Sequence, residues 1–151
     1  RSGLISKDPT HLIKIASQAA IGKLDSVTVF GNDYNTRDGT TIRDYIHVSD
    51  LADIHVKSLE YLLEKKRSKI LNCGYGKGYS VKEVLDTLNS ICNNKINIKY
   101  GNRRSGDAVS LVSDISQLMR TIPWMPKYND LEIILKTSIK WENKILNEKI
   151  L

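Results

Sequence analysis

The sequence predicts an α/β fold, because segments with helical spacing of apolar residues alternate with short apolar segments typical of strands. Helical spacing is clearest over residues 81–92, where apolar side chains stand at positions 81, 84, 85, 88, 91 and 92. Strand-like segments occupy residues 27–30, 70–73 and 96–100. With 151 residues, of which 40% are hydrophobic, the chain is long enough to form one domain with a buried core.

Further elements complete the predicted order: helices over residues 11–22, 49–65, 114–119 and about 130–145, and a strand over 109–112. Short polar residues before four of the helices are expected N-caps, since their oxygens can accept from free N–H groups of the first turn: Thr10, Ser49 or Asp50, Ser80, and Asn129 or Asp130. Ser80 and Glu83 have the spacing of a capping box. The loop over residues 31–41 is polar and carries the turn signal Asp38-Gly39, so we expect it to form part of a binding surface.

Composition limits the classes of partner. The net charge of +6 permits a nucleic acid or an acidic small ligand, but no nucleic-acid motif accompanies it, so we predict no nucleic-acid partner. No apolar run approaches the ~18 residues of a membrane span, and no secretory signal is visible, so we predict no membrane partner. Cys73 and Cys92 fit no metal spacing, which predicts no metal site and favours a reducing cytoplasm.

Two arginine clusters are the main functional candidates. Arg43 follows the polar loop directly, and Arg103-Arg104-Ser105-Gly106-Asp107 forms the second cluster. Such arginines can be surface groups in local ion pairs, or their planar guanidiniums can grip a phosphate, for which arginine is better suited than lysine. The residues alone leave both interpretations open.

Two patterns resemble catalytic or cofactor motifs, and we reject both. Tyr61 and Lys65 have the Tyr-x-x-x-Lys spacing of a proton-transfer pair, but Lys65 stands in a basic run at a predicted helix end, where nothing would activate the pair. Gly74, Gly76 and Gly78 follow a strand-like segment, yet the third glycine comes one residue too early for a dinucleotide fingerprint. We therefore predict a tight turn there.

Three spaced motifs carry a family resemblance: Phe30-Gly31-Asn32-Asp33-Tyr34, Asp38-Gly39-Thr40, and the run from Arg43 to Ala52. Together they resemble the C-terminal half of the UDP-glucose 4-epimerases, which are extended short-chain dehydrogenases/reductases. The resemblance covers about residues 11–146. It implies that residues 1–151 form a single UDP-sugar-binding region, the C-terminal substrate-binding portion of that fold, with one or two strands of its Rossmann sheet.

The resemblance also implies roles for individual residues. Arg43 and Arg104 would hold the diphosphate, and Asp107 would accept from the ribose. Val29, Phe30 and Val81 would surround the uridine, and Leu111 would lie beside the C2 substituent of the sugar. The remaining implied substrate-binding residues are His11 and Leu12, at the start of the first helix, and Tyr45. Lys14 departs from the family, which usually carries proline there.

The implied function is the UDP-sugar-binding half of an NAD-dependent UDP-glucose/UDP-galactose 4-epimerase, an isomerase of galactose metabolism, with UDP-N-acetylhexosamines as further substrates. The family's NAD loop and catalytic residues lie in its N-terminal half, so no catalytic, cofactor-binding or metal-binding residue is expected here. That half would bind most of the NAD and could belong to a separate chain. A non-enzymatic remnant of a split or decayed gene and a basic nucleic-acid-binding module remain as alternatives.

Overall fold

The structure is a computed structural model that describes residues 3–6, 8–93 and 96–148. Its elements, in chain order, are α1 (Leu12–Ala20), β1 (Val27–Phe30), β2 (Ile42–Arg43), α2 (Val48–Lys65), β3 (Tyr79–Ser80), α3 (Val81–Cys92), β4 (Ile98–Gly101), β5 (Ser110–Leu111), α4 (Ser116–Thr121) and α5 (Leu131–Glu148). The predicted α/β class is confirmed, and helices α1, α3 and α5 begin within two residues of their predicted starts.

Two small sheets organise the described residues. Strands β1 and β4 pair in parallel, with Val27 opposite Ile98. In the second sheet β2 is the central strand, antiparallel to β3 and parallel to β5. Strands β2, β3 and β5 have only two residues each, so their positions depend on neighbours distant in sequence.

Two apolar clusters form the core. The first joins α1, β1, α3 and α5 through fully buried side chains that include Ala16, Val84, Leu85, Leu88 and Leu135. The second lies under α2 and α4 and contains Ile54, Tyr75, Leu118, Trp124 and Ile134. Because α5 contributes to both clusters, it connects the two halves of the fold.

The cap predictions are confirmed for α3 and α5. The Ser80 side chain accepts from the Glu83 N–H, and the Glu83 carboxylate accepts from the Ser80 N–H, which completes the capping box. At α5, the Asp130 carboxylate accepts from the Ile133 N–H at 3.1 Å.

The cap predictions for α1 and α2 are wrong. His11, not Thr10, occupies the N-cap position of α1, and its side chain makes no capping bond. At α2 the cap is His47, whose Nδ1 accepts from the Ser49 N–H at 3.0 Å. Asp50 is buried instead, because its carboxylate accepts from the Tyr75 hydroxyl and from two backbone N–H groups at the start of the segment leading to α5.

The predicted strand over residues 70–73 is also wrong. These residues form no strand, and residues 69–72 make no backbone hydrogen bond to any other described residue. A short apolar segment is therefore not sufficient here, since a strand requires a neighbour to pair with. The predicted strand over 109–112 is shorter than expected, as β5 contains only Ser110 and Leu111.

A buried ion pair links the first helix to the last. Lys14 Nζ donates to Glu142 Oε1 at 2.5 Å and to the Leu4 carbonyl at 2.9 Å. The other carboxylate oxygen of Glu142 accepts from the Gln18 amide at 3.0 Å. The side chains of Lys14 and Glu142 are only 7% and 2% exposed. The lysine that departs from the family pattern therefore has a specific buried partner.

Candidate functional site

A cavity of about 410 Å³ opens between the start of α1, strands β1 and β2, and the loop that precedes β5. Its lining includes eight of the ten substrate-binding residues predicted from the sequence: Leu12, Val29, Phe30, Arg43, Tyr45, Val81, Arg104 and Asp107. Gly31 and Thr41, which also line it, end the loop that was expected to form part of a binding surface, whereas sequence analysis missed Thr10, Ile15, Ser26, Val27 and Thr28. These residues carry no signal of their own, because most reach the cavity only through the packing of α1 against β1.

One wall of the cavity combines an aromatic ring with a cation. Phe30 ends β1, and the Arg104 guanidinium lies over its ring, 3.7 Å from the ring centroid. This arrangement is a cation–π contact, and it holds the guanidinium against the cavity wall.

Arg43 lies in the short central strand β2, which follows the loop over residues 31–41 directly, as the sequence indicated. The strand is fixed on one side by two bonds to the segment around β5: the Ile42 N–H donates to Val109 O at 2.9 Å and the Asp44 N–H to Leu111 O at 3.1 Å. The Arg43 guanidinium donates to the Ile42 carbonyl at 2.7 Å and to the Asp107 carboxylate. Both predicted arginine clusters therefore meet at one cavity.

The charge of the cavity suits an anion. Two guanidiniums, those of Arg43 and Arg104, line it together with one carboxylate, that of Asp107. Arg43 and Asp107 are about one-quarter exposed, so their pairing is only partly screened by water. A bound phosphate could take the place of Asp107 on Arg43 and free the carboxylate for a hydroxyl group.

Asp44, the residue directly after β2, fixes the end of this strand through hydrogen bonds. Sequence analysis did not identify this role. The Asp44 carboxylate accepts from the N–H groups of Tyr75 at 3.1 Å, Gly76 at 3.0 Å and Ser113 at 3.3 Å. A Cβ atom at Gly74 would lie 2.4 Å from this carboxylate, so only glycine fits there. The aspartate therefore joins three segments directly behind Arg43.

The loop over residues 31–41 forms the predicted turn. Asp38 accepts from the Thr40 N–H at 2.9 Å, and its second oxygen accepts from the Ser80 hydroxyl. Gly39 has a φ of +80°, and a Cβ there would lie 2.1 Å from the Asn32 carbonyl oxygen. The turn thus fixes the chain between the two cavity strands, β1 and β2.

Tyr45 lines the cavity and carries a neutral hydroxyl. Burial raises the pKa of its phenol to about 12, with a smaller opposing effect from the nearby Arg43 cation. The hydroxyl therefore keeps its proton at neutral pH and can donate a hydrogen bond.

The other two predicted site residues lie outside this cavity. His11 is exposed at the N-cap of α1. Leu111 is 58% exposed and lines a second cavity of about 380 Å³, together with Asn72, Val112, Ser113, Asp44 and Arg43. Arg43 lines both cavities, whereas Leu111 lines only the second and Phe30 only the first.

Neither of the rejected motifs lines one of these two cavities. The Lys65 ammonium contacts the neighbouring Glu64 carboxylate at the exposed end of α2. The space beside the glycines is filled by protein, since a Cβ at Gly78 would lie 2.5 Å from Ile42 Cγ2 and 2.6 Å from Val112 Cγ2. Within residues 3–6, 8–93 and 96–148, no group of three His, Cys, Asp or Glu side chains could hold a metal ion. No helix in the same ranges is long and apolar enough to cross a membrane.

Comparison with known proteins shows which family the chain resembles. A family model described as the NAD dependent epimerase/dehydratase family matches residues 4–74. The UDP-glucose 4-epimerase of Azospirillum brasilense is 42% identical over 145 residues, which make up 96% of this chain and 42% of that enzyme. The chain is similar to members of this family over almost its whole length. It corresponds to the C-terminal part of the UDP-glucose 4-epimerases and spans less than half of their length.

Solved structures of family members have the same fold. A UDP-glucose 4-epimerase from Stenotrophomonas maltophila, with bound NAD and formylated UDP-arabinopyranose, superposes with a TM-score of 0.91 at 35% identity, over 96% of this chain and 43% of that one. The UDP-Glc/GlcNAc 4-epimerase of Campylobacter jejuni gives a TM-score of 0.81 at 42% identity, over 94% of this chain and 43% of that one. The predicted fold as a C-terminal portion of the epimerases is confirmed.

Proposed function

We propose that this chain is the UDP-sugar-binding part of an NAD-dependent UDP-glucose 4-epimerase, which interconverts UDP-glucose and UDP-galactose. The observation that carries the proposal is the convergence of Arg43, Arg104 and Asp107 on one cavity with an aromatic wall. The two arginines are 61 positions apart in sequence, and a surface role would not require them to meet. Relatives that bind UDP-sugars support the choice of ligand.

The nucleoside would lie against β1. Phe30 offers a ring face, Val29 belongs to the same strand, and Val81 begins α3 opposite it. A uracil ring could pack beside the Phe30–Arg104 pair and contact the backbone of β1. The Asp107 carboxylate can accept from a ribose hydroxyl once a phosphate occupies Arg43.

The diphosphate would lie between the arginines and the start of α1. Arg43 and Arg104 can each donate charge-assisted hydrogen bonds, and the Tyr45 hydroxyl can donate a neutral one. His11 and Leu12 stand where the free N–H groups of α1 begin, a position that favours anions. No side chain of α1 caps these groups, so they remain available to a ligand.

The sugar would then extend past Arg43 into the second cavity, where Leu111 lies. A leucine there leaves room and apolar surface for an acetyl group, so we propose that UDP-N-acetylhexosamines are accepted as well. The Campylobacter jejuni relative is described as acting on both kinds of sugar.

Replacing Leu111 with tyrosine should make a complete enzyme carrying this chain more selective. The added ring would fill the space for the acetyl group and lower kcat/KM for UDP-N-acetylglucosamine relative to UDP-glucose by about 10–200-fold. Both values are measured before and after the change, with Val109→Tyr as the control, because Val109 is also exposed but lines neither cavity. An unchanged ratio would remove Leu111 from the sugar site.

NAD does not fit the glycine turn of this chain. A pyrophosphate requires open backbone beside the glycines, whereas Asp44, Ser113, Ile42 and Val112 fill that space. The following helix also has its first N–H groups satisfied by its own capping box. We therefore propose that NAD, which would accept the hydride in this reaction, is bound mainly by polypeptide that this chain does not span. The cytoplasmic location and the absence of a nucleic-acid partner stay predictions.

The 151-residue chain alone should not interconvert UDP-galactose and UDP-glucose. Proton transfer requires a group within hydrogen-bond reach of the reacting hydroxyl, and the Tyr61–Lys65 pair stands on α2 with its lysine in contact with Glu64. A coupled assay with UDP-galactose and added NAD measures this directly. Turnover that disappears in a Tyr61→Phe variant would show that the pair is catalytic and would contradict the prediction.

A further inference from the structure

Asp107 is the only carboxylate among the described residues that line the first cavity. It stands on the same turn as Arg104, because the Asp107 N–H donates to the Arg104 carbonyl at 3.3 Å. Gly106 has a φ of +78° within this turn, a left-handed conformation that favours glycine. The turn therefore brings a cation and an anion to one cavity, so the carboxylate is as firmly built into it as the arginine.

The Asp107 carboxylate opposes the attraction of this cavity for anions. It accepts from the Arg43 guanidinium, and both side chains are only about one-quarter exposed. At partly buried positions, two like charges a few ångströms apart repel each other more strongly than they do in water. A cavity that had only to attract a phosphate would bind it more tightly without this carboxylate. The position of Asp107 therefore requires a ligand with a second chemical property.

Hydroxyl groups on the ligand reverse the effect of the carboxylate. An ionised carboxylate only accepts hydrogen bonds, and pyrophosphate at neutral pH offers mainly acceptor oxygens, so the two repel each other. A nucleotide also carries ribose hydroxyl groups, which can donate to Asp107 while its phosphates accept from Arg43 and Arg104. The same carboxylate thus weakens the binding of a bare phosphate and strengthens the binding of a nucleotide.

From this arrangement we infer that Asp107 is a specificity-determining residue that selects against phosphates without a hydroxyl-bearing group, namely pyrophosphate and inorganic phosphate. Two arginines alone would bind such anions, since a guanidinium recognises any phosphate by the same charge-assisted hydrogen bonds. An unfavourable charge placed against the wrong ligand is a general source of specificity. The inference rests on the proposed function, because it assumes that the diphosphate of a UDP-sugar binds in this cavity.

The test measures the affinity for UDP by calorimetric titration at neutral pH and the affinity for pyrophosphate by its competition with UDP. Asp107→Asn removes the charge but keeps a carbonyl oxygen that can accept from Arg43. We expect pyrophosphate to bind this variant at least about fivefold more tightly, and UDP to gain no affinity. Asp33→Asn is the matched control, because Asp33 pairs with Arg103 outside the cavity lining and its replacement changes the net charge equally. It should leave the ratio of the UDP affinity to the pyrophosphate affinity unchanged.

A third ligand, 2′,3′-dideoxy-UDP, separates charge repulsion from a loss of structure. The unsubstituted chain should bind UDP at least about tenfold more tightly than this analogue, and the difference should fall below about threefold in Asp107→Asn. A purely structural role would instead weaken the binding of all three ligands together in Asp107→Asn, and that result would overturn the inference.

Two further results would also overturn it: equal changes in pyrophosphate affinity in Asp107→Asn and Asp33→Asn, or a preference for UDP over the dideoxy analogue that Asp107→Asn leaves unchanged. In both cases UDP still binds, so the proposed function stands and only the role of Asp107 fails. Absence of UDP binding to the unsubstituted chain would contradict the proposed function, and the inference with it.

Discussion

Replacing Glu142 with alanine should lower the free energy of unfolding by about 3–5 kcal/mol. The change removes the carboxylate that accepts from Lys14 and Gln18, and it leaves the Lys14 ammonium buried with only the Leu4 carbonyl as a partner. A buried charge without a counter-charge is costly because water cannot reach it. Urea unfolding of the chain measures the loss.

Two further variants separate the effect of burying an unpaired charge from the effect of removing a carboxylate. Glu132 stands on the same helix and pairs with Lys136, but both side chains are more than half exposed, so Glu132→Ala should cost less than about 0.5 kcal/mol. The double variant Lys14→Met/Glu142→Leu removes both charges and should recover most of the stability lost in Glu142→Ala. If Glu142→Ala costs as little as Glu132→Ala, the buried pair does not form.

Replacing either Arg43 or Arg104 with alanine should weaken UDP binding by about 1.5–3 kcal/mol, which is roughly 10–150-fold. Each guanidinium can donate to the diphosphate, and no other described side chain of the cavity carries a positive charge. Fold stability should change little in Arg104→Ala, because Arg104 contacts Phe30 at the cavity wall rather than in the core. Calorimetric titration with UDP measures both variants.

Arg103 provides the matched control for this titration. It is the direct neighbour of Arg104, but its guanidinium lies over the Tyr34 ring and donates to Asp33, outside the cavity lining. Arg103→Ala removes the same charge from the same loop, so general electrostatic attraction predicts an equal loss of affinity in both variants. If the Arg104 guanidinium binds the diphosphate directly, the affinity for UDP falls in Arg104→Ala and stays unchanged in Arg103→Ala. Equal losses in the two would show that charge alone attracts the ligand.

Local sequence patterns were sufficient to predict the elements whose formation depends on contacts between residues close in sequence. The capping box of Ser80 and Glu83 needs only residues three apart, and β1 and α3 carry clear periodicity, so the sequence predicted all of them. The site residues were found by resemblance, since spacing alone could not tell a phosphate-binding arginine from a surface one. Their convergence on one cavity depends on the pairing of β2 with β5, which joins residues 68 positions apart.

The features that sequence analysis missed depend on distant contacts. Lys14 and Glu142 are 128 positions apart, and nothing near either residue indicates that they are buried together. His47 replaces the expected cap because its imidazole lies between the Ser49 N–H and the Thr137 hydroxyl of α5. Residues 70–73 have the composition of a strand, but the described residues supply no partner for it, so no strand forms there.

Calorimetric titration of the 151-residue chain with UDP and with uridine tests the central claim most directly. If both guanidiniums contact one diphosphate, we expect a single site that binds UDP at least about tenfold more tightly than uridine. The reason is that each charge-assisted contact contributes about 1.5–3 kcal/mol. The excess affinity for UDP should shrink in Arg104→Ala and persist in Arg103→Ala. No binding of UDP, or equal affinity for UDP and uridine, would contradict the account.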